Sequence, residues 1–247
     1  MTSDFAGIIL AAGRGTRLGR NQNKSLVKVN GVELIKYAIN FLRFIGAKQI
    51  IVITGYQADE VESIVAVADN TAIVIKNEEW EKKGNLPSLL RAFQHTEESV
   101  LVMNVDHLYK RSLAGKVPEC FNEQIIVFCD FKEKIEPDER IVLLDENKNI
   151  KQIGKHLPKC DCATVGLTFI PAGKRGEYLG AVPETVSALA DAAGYEDVLQ
   201  TLVQTGMTVT TADVSGICPY EIDYPEELEK AEQGVKADFQ NFLAHFV

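Results

Sequence analysis

Glycines and basic side chains alternate at one place near the start of the chain. Gly13 and Gly15 flank Arg14, and Arg17 and Lys24 follow. Glycine lets the backbone adopt positive φ, so several N–H groups can turn toward one point, and the basic side chains add positive charge around it. These residues therefore predict a cradle for an anion such as phosphate. The alternative, which the loop by itself leaves open, is a tight turn with solvated basic residues.

Two common phosphate-binding loops do not fit this stretch. A P-loop closes on Gly-Lys-Ser/Thr, whereas Gly19 is followed here by Arg20 and Asn21. The dinucleotide-binding fingerprint requires a glycine where Leu18 stands. A dinucleotide-dependent oxidoreductase is therefore the weaker alternative to an enzyme that binds a nucleotide in some other way.

Further candidates lie in the middle of the chain. Asp106 follows directly after the apolar run at residues 100–105, which predicts a buried strand. An uncompensated carboxylate beyond such a strand is costly, so a cation or hydrogen-bond donor is expected near it. Asn85 and Ser88 lie where a polar loop enters a helix, with Pro87 in its first turn. For these two residues, helix capping is the alternative to ligand binding.

The apolar pattern places the candidates at the ends of strands. Strands are predicted at residues 5–10, 49–54, 72–75 and 100–105, and helices at 32–45, at 58–67 and after Asn85. Such alternation is typical of an α/β fold with a Rossmann-like, doubly wound, mostly parallel sheet. Active sites in these sheets lie beyond the carboxyl ends of the strands, and the glycine loop follows such an end.

The pattern changes at residue 124 to strands with fewer helices. Strands are predicted at 125–128, 141–144, 150–154, 162–170 and 207–213, helices at 184–193 and 195–205, and an amphipathic helix from 225 to 247. We expect one domain of residues 1–247, in which about 121–223 form a β-rich insertion lying over the first half, residues 1–120. The insertion is a natural place for a second-substrate pocket.

Composition excludes several classes of protein. A net charge of −9 over 247 residues argues against nucleic acid as a partner, because backbone phosphates require a basic face. No apolar run is long enough for a membrane span, and no secretory signal is visible, so we expect a cytoplasmic protein. The five cysteines lack Cys-x-x-Cys spacing, which favours reduced thiols over a metal site.

The chain resembles the nucleotidyltransferases that make activated sugars and alcohols. The resemblance to their signature loop covers Leu10, Ala11, Ala12, Gly13, Arg14, Gly15, Thr16, Arg17 and Leu18. Lys24 resembles the signature lysine, and Asp106 and Asp223 resemble the two metal-binding aspartates. The order and separations match over nearly the whole chain, so the combination is far more specific than any one part.

Within that family the likeness is greatest to cytidylyltransferases. Residues 83–90, 106–109 and 153–162 resemble the inositol-1-phosphate cytidylyltransferases, whereas residues 220–223 are closer to the bacterial phosphocholine enzymes. Two positions depart from the pattern. Asn23 replaces the proline before the signature lysine, and Thr164 stands where the inositol-phosphate enzymes carry an acidic residue expected to face the acceptor. The acceptor therefore stays open.

The resemblance implies a reaction and a set of partners. A phosphorylated acceptor would attack the α-phosphorus of a nucleoside triphosphate, with CTP favoured, and pyrophosphate would leave. Asp106 and Asp223 would hold Mg²⁺ through oxygen ligands. The alternatives are a sugar-1-phosphate nucleotidyltransferase that uses UTP, GTP or dTTP, and a non-catalytic nucleotide-binding relative. Whether two copies pair as a homodimer is open.

It also implies roles for individual residues. Arg17 and the loop amides would bind the β- and γ-phosphates, and Lys24 would neutralise charge near the α-phosphate. Asn85 and Ser88 would face the base and ribose. On the acceptor side we expect Lys155 against the acceptor phosphate, together with Asp161 and Thr164.

Overall fold

A computed structural model describes residues 4–19, 21–81, 84–136 and 139–242. These residues contain thirteen strands: β1 (Phe5–Ala11), β2 (Lys28–Val29), β3 (Val32–Glu33), β4 (Gln49–Thr54), β5 (Ile73–Lys76), β6 (Ser99–Asn104), β7 (His107–Leu108), β8 (Ile125–Asp130), β9 (Ile141–Leu144), β10 (Ile150–Gly154), β11 (Cys162–Ile170), β12 (Val209–Asp213) and β13 (Tyr220–Glu221). They also contain seven α-helices: α1 (Leu34–Phe44), α2 (Ala58–Ala68), α3 (Leu86–Phe93), α4 (Arg111–Lys116), α5 (Arg175–Leu189), α6 (Tyr195–Gln204) and α7 (Pro225–Ala237).

The middle of the main sheet consists of four parallel strands in the order β6, β1, β4 and β5. All seven residues of β1 are buried, because the strand has neighbours on both edges and helices on both faces. Its side chains alternate between two cores, with Ile9 in the one covered by α1 and α2 and Ile8 in the one covered by α3, α5 and α6. The predicted α/β fold with a doubly wound, mostly parallel central sheet is confirmed.

The second half of the chain extends this sheet. β11 pairs antiparallel with β6, and β8, β9, β10 and β12 continue from it to give nine strands. The expectation that these strands lie over the first half is therefore wrong. The edge of β6 would otherwise expose unpaired N–H and C=O groups, and pairing with β11 satisfies them.

Several element boundaries differ from the predictions. The helix expected to begin at residue 32 begins at Leu34, because β3 pairs with β2 across the Asn30-Gly31 turn, where both residues have positive φ. The helix expected at 184–193 is α5, which begins at Arg175, and its two early glycines and Pro183 obscure the helical pattern. α7 ends at Ala237, and residues 243–247 lie outside the described residues.

Short elements that the sequence did not reveal complete the fold. α4 packs Leu113 into the core beside α1, and the two-residue strands β7 and β13 pair with each other. That pairing places residues 220–221 beside residues 107–108, which follow β6. Among the described residues, no helix is both long enough and apolar enough to cross a membrane.

Candidate active site

A cavity of about 530 Å³ opens beyond the carboxyl ends of β1 and β6. It brings together ten of the residues predicted from the sequence: Gly13, Arg14, Gly15, Arg17, Lys24, Asn85, Asp106, Lys155, Thr164 and Asp223. These residues come together because β1 and β6 are parallel, so both strands end at the same edge of the sheet. Arg20, which follows the glycine loop, and Lys83, which precedes α3, lie outside the described residues.

Lys24 lines this cavity and lies between two carboxylates. Its ammonium nitrogen is 2.7 Å from Asp106 Oδ2 and also forms an ion pair with Asp223 Oδ1. The side chains of Lys24, Asp106 and Asp223 are 17, 19 and 12% exposed, so water screens these contacts less than those of a surface pair. The lysine charge and the two carboxylates therefore act as one cluster.

Asn23 fixes the turn that presents Lys24. Its Oδ1 accepts a hydrogen bond from the Ser25 N–H at 2.8 Å, which caps the short 3-10 turn Lys24–Leu26. Its Nδ2 donates to the carbonyls of Ala11 at 2.9 Å and Tyr56 at 2.6 Å. The asparagine that replaces the family proline is fully buried, and it joins the lysine turn to the end of β1.

Asp223 reaches the cavity through the pairing of β13 with β7. The Ile222 N–H donates to the Asp106 carbonyl at 3.0 Å, which places Asp223 opposite Asp106. Arg17 donates to Asp223 Oδ2 at 2.6 Å, and the Asp223 N–H is held by Glu227 Oε2 of α7 at 2.7 Å. The carboxylate of Asp223 thus faces the cavity, while its backbone marks the entry to α7.

His107 positions the carboxylate of Asp106. Its Nδ1 shares a hydrogen bond with Asp106 Oδ1 at 2.7 Å. Burial raises the pKa of Asp106, but the charges of Lys24 and His107 and their hydrogen bonds outweigh it and hold the pKa well below its usual range. Gly166 lets the histidine approach, since its φ is +66° and a Cβ there would lie 2.7 Å from the ring. Asp106 is therefore held ionised.

A smaller cavity of about 250 Å³ adjoins the first and shares Gly13, Lys24, Asn85, Asn104 and Asp106 with it. Leu10, Ala12 and Ser88 line it as predicted, together with residues that the sequence reasoning missed: Asn77, Trp80 and Val105. The ring centroid of Trp80 lies 5.2 Å from that of Tyr56. A small cavity with an aromatic side chain in its lining suits a flat ring.

Ser88 and Asn85 each have one hydrogen-bonding group already engaged. Ser88 Oγ accepts from Asn77 Nδ2 at 3.1 Å, so the serine O–H proton is the group it can offer to a ligand. Asn85 stands at the start of α3 but makes no side-chain cap. Its Oδ1 accepts instead from the Tyr195 N–H at 2.8 Å, which leaves its NH₂ to donate. Both residues present donors.

Two predicted residues do not line either cavity. The side chain of Ala11 is buried in the core below the loop, and only its carbonyl takes part, through Asn23. Asp161 is exposed, and its carboxylate accepts from the Leu144 N–H at 2.8 Å, which holds the start of β11 against β9. The geometry therefore gives Asp161 a role in the strand connection.

The larger cavity also contains charged residues that the sequence reasoning missed. Arg140 lies 2.9 Å through Nε from Glu196 and 2.6 Å through a terminal nitrogen from Asp197, both in the first turn of α6. Burial raises the pKa of Glu196, and the Arg140 charge offsets this only in part. Little in the sequence marks these residues as functional. Acidic side chains in a first helical turn commonly interact only with the N-terminus of their own helix.

The two carboxylates fit a magnesium ion better than a structural metal. The described residues contain no cluster of three or more His, Cys, Asp or Glu side chains that could hold a metal alone. Asp106 and Asp223 nevertheless share one cation, the Lys24 ammonium. Mg²⁺ is commonly held by one or two carboxylates and completed by substrate phosphates, and this donor set matches that chemistry.

Comparison with known proteins places the chain in a family. The family model for the MobA-like NTP transferase domain matches residues 7–209, so the chain belongs to that family. It is 26% identical over 232 residues to a bifunctional IPC transferase and DIPP synthase of Aquifex aeolicus, covering 92% of this chain and 50% of the relative. The chain thus spans about half the length of that relative.

Other relatives are named for different substrates. The chain is 31% identical over 139 residues to a choline-phosphate cytidylyltransferase of Streptococcus pneumoniae, covering 50% of this chain and 58% of the relative. It is 24% identical to the UTP–glucose-1-phosphate uridylyltransferase AglF of Haloferax volcanii, covering 94% and 96%. The solved structure of the inositol-1-phosphate CTP transferase from T. maritima shares the fold, with a TM-score of 0.80, 22% identity and coverage of 95% and 97%.

Proposed function

We propose that this protein is a magnesium-dependent cytidylyltransferase that joins CTP to a phosphorylated alcohol or polyol and releases pyrophosphate. One observation carries the proposal. Lys24 is held between Asp106 and Asp223 and lines both cavities, where the glycine loop, the proposed acceptor side and the smaller cavity adjoin. A reaction between two anions needs positive charge at such a junction and room for a substrate on each side. Lys24 and Arg17 supply part of that charge, and a cation held by the two carboxylates would supply the rest.

The glycine loop would bind the triphosphate. Gly13, Arg14, Gly15 and Arg17 line the large cavity, and the N–H groups of a glycine-rich loop together with guanidinium groups suit β- and γ-phosphate oxygens. Arg17 donates to Asp223 in this structure, so it stands within reach of any phosphate bound near that carboxylate. The leaving pyrophosphate would thus be stabilised by groups already in place.

Asp106 and Asp223 would hold Mg²⁺, which supplies charge neutralisation for the phosphates when it is bound. Lys24, now paired with both carboxylates, would then turn its ammonium to the α-phosphate. His107 holds the Asp106 carboxylate in position through its 2.7 Å hydrogen bond. The attacking oxygen belongs to an ionised phosphate, so no general base is needed. Lys155, which lines the large cavity, would pair with that phosphate.

The smaller cavity would bind the base and select cytosine. Cytosine presents two neighbouring acceptors, O2 and N3, and the Ser88 hydroxyl and Asn85 amide are donors that line this cavity. Uracil carries an N–H at its third ring position, where a protein donor would find no acceptor. One unpaired buried group costs about 1–3 kcal/mol, so we expect CTP to be preferred over UTP by roughly tenfold to a hundredfold.

Pyrophosphate release with Mg²⁺ tests the proposal. The specificity constant is measured for CTP, UTP, GTP and ATP with one working acceptor. The highest value with CTP supports the assignment, whereas equal use of UTP, or a preference for a purine triphosphate, would overturn it. Ser88→Ala should reduce the preference for CTP, and Ser63→Ala on the exposed side of α2 is the matched control. A non-catalytic relative would release no pyrophosphate with any acceptor.

The second candidate is a sugar-1-phosphate nucleotidyltransferase that uses UTP, GTP or dTTP. The match to the Haloferax volcanii relative over nearly the whole length of both chains favours it. The same assay, run with glucose 1-phosphate and each triphosphate, separates it from a cytidylyltransferase.

A further inference from the structure

One wall of the large cavity is formed by five residues from three parts of the chain. We name it the acceptor wall: Glu139, Arg140, Thr164, Glu196 and Asp197. Lys155, the expected partner of the acceptor phosphate, lines the same cavity. An inference about which acceptor this wall binds rests on the proposed function.

The acceptor wall is built around the Arg140 guanidinium. The Thr164 N–H donates to the Arg140 carbonyl at 2.9 Å, which holds the start of β9 against β11. Arg140 then reaches Glu196 and Asp197, and the three side chains are 13, 10 and 20% exposed. Asp197 also accepts from the Gly194 N–H at 2.7 Å, which fixes the first turn of α6. The wall is therefore preorganised.

The carboxylates of the acceptor wall already have cationic partners. Glu139 forms an ion pair with Lys132, and Arg140 serves both Glu196 and Asp197. A cationic ligand would therefore have to compete with existing ion pairs. Each ionised carboxylate can nevertheless accept about four hydrogen bonds, so these oxygens can still accept from hydroxyl groups. The Thr164 hydroxyl adds a group that both donates and accepts.

The lining of the large cavity also lacks the surface that a quaternary ammonium prefers. Among the described residues around it there is no Phe, Tyr or Trp, and the largest aliphatic side chain is that of Ala192. Quaternary ammonium groups carry no hydrogen-bond donor and are typically recognised by aromatic faces. A trimethylammonium group would thus be surrounded by hydrogen-bonding groups that it cannot satisfy.

We infer that the acceptor wall selects a phosphate carried on an uncharged, polyhydroxylated body, either a polyol or a sugar, and disfavours one carried on a quaternary ammonium. Ligand hydroxyls would donate to Glu139, Glu196 and Asp197 and would exchange hydrogen bonds with Thr164. Glu139, which precedes β9, lines the same cavity as Thr164 of the neighbouring strand β11 and adds a carboxylate there.

An acceptor panel tests this inference. Pyrophosphate release is measured with myo-inositol 1-phosphate, glucose 1-phosphate, phosphocholine and phosphoethanolamine, each with CTP, UTP, GTP and dTTP. We expect the specificity constant of a polyhydroxylated phosphate to exceed that of phosphocholine by about tenfold or more, the size expected when buried hydrogen bonds go unmade. The highest value with phosphocholine or phosphoethanolamine would overturn the inference.

The panel separates this inference from the proposed function. A polyhydroxylated acceptor that works best with UTP would contradict the cytidylyl assignment and leave the acceptor class standing. If no pair turns over, calorimetric titration of the four phosphates into the protein with Mg²⁺ and CMP decides. Tighter binding of a polyhydroxylated phosphate supports the inference, and tighter binding of phosphocholine, or no binding of any, contradicts it.

Variants of the acceptor wall give a second readout. Glu139→Gln keeps the size of the side chain and weakens it as an acceptor, so the KM of a polyhydroxylated acceptor should rise about threefold to tenfold while kcat and the KM of CTP stay near wild type. Glu97→Gln is the matched control, because Glu97 forms an ion pair with Arg175 outside the cavity lining. A KM increase of the same size for phosphocholine would contradict selection by hydroxyl contacts.

Thr164→Val serves as an independent variant. It removes the hydroxyl from the wall with little change in shape, and the carbonyl contact of Arg140 is preserved because it uses the Thr164 backbone. The same selective rise in acceptor KM is expected. An unchanged KM for every acceptor in both variants would remove the wall from acceptor recognition.

Discussion

The side-chain oxygen of Asn85 accepts a hydrogen bond from the Tyr195 N–H at 2.8 Å, across 110 residues of sequence. Asn85 borders both cavities, and Tyr195 begins the helix that carries Glu196 and Asp197. The Gly84 N–H also donates to the Asp191 carbonyl, and the Leu86 N–H donates to the Ala193 carbonyl at 3.3 Å, so three hydrogen bonds fix this connection. The segment that borders the proposed base site and the helix that supports the acceptor wall are therefore joined directly.

Two substitutions at Asn85 should separate its structural role from its binding role. Asn85→Asp retains an oxygen for Tyr195 and loses the NH₂ donor, so it should weaken CTP binding while leaving the free energy of unfolding near wild type. Asn85→Ala leaves the Tyr195 N–H unpaired and should also lower stability by about 1–3 kcal/mol. Urea unfolding and CTP titration measure the two effects.

If Asn85→Asp binds CTP as tightly as wild type, the asparagine NH₂ does not contact the nucleotide. Asn122→Asp is a suitable control, because Asn122 is exposed and lies outside the lining of both cavities.

The carboxylate pair and the lysine between them should be essential for turnover. Asp106→Ala and Asp223→Ala should each lower kcat by orders of magnitude with the fold intact, because the magnesium ion loses a ligand. Lys24→Ala should lower kcat more than it raises the KM of CTP, since its charge matters most while the α-phosphorus is attacked. Steady-state kinetics at saturating Mg²⁺ and circular dichroism check both statements.

Asp213→Ala is the control for the aspartate variants. Asp213 ends β12, and its carboxylate accepts hydrogen bonds from the N–H and the hydroxyl of Ser215, away from the cavity. Near-normal activity of either Asp106→Ala or Asp223→Ala would remove that residue from the metal site. A change confined to the Michaelis constant would count against the role of Lys24.

The part of the site that the sequence predicted lies at the ends of long, apolar strands. β1 and β6 are continuous buried runs, so their carboxyl ends, and with them Gly13 and Asp106, could be located from the order of the amino acids alone. The topology of a parallel sheet then implies that these ends meet. Long elements with strong hydrophobic patterns carry this information in their local sequence.

The remaining part depends on contacts between distant short elements. Asp223 is positioned by the pairing of β7 and β13, which have two residues each. Strands this short show no hydrophobic periodicity, so only the family resemblance indicated Asp223. Glu196 and Asp197 look in sequence like ordinary acidic residues of a first helical turn. Their contact with Arg140 depends on how α6 packs against the sheet, which local sequence does not encode.

Gly166 should be intolerant of any side chain. Its φ of +66° disfavours L-residues, and an added Cβ would lie 2.7 Å from the His107 ring. Gly166→Ala should therefore cost about 1–2 kcal/mol in backbone strain alone, with displacement of His107 in addition. Because His107 positions Asp106, kcat should fall as well. Gly173→Ala, where a Cβ meets no atom within 4 Å, is the control for urea unfolding and kinetics.

Trp80 should report directly on the base. It is the only tryptophan of the chain, it lines the smaller cavity, and it packs on Tyr56 with ring centroids 5.2 Å apart. If the cytosine ring enters this cavity, CTP should change the intrinsic fluorescence in a saturable way. CMP should do the same, and tripolyphosphate, which has no base, should not.

Substitution of Trp80 tests the energetic contribution of that contact. Aromatic stacking on a base contributes about 1–3 kcal/mol, so Trp80→Ala should weaken CTP binding by about fivefold to a hundredfold, and Trp80→Phe should recover most of the loss. Equilibrium dialysis with labelled CTP measures affinity without using the tryptophan signal. Gly55 packs against the Trp80 side chain, so Trp80→Ala could also disturb folding. Trp80→Phe controls for this effect because it keeps an aromatic ring at the position. Wild-type affinity in Trp80→Ala, or fluorescence unchanged at saturating CTP, would place the base elsewhere.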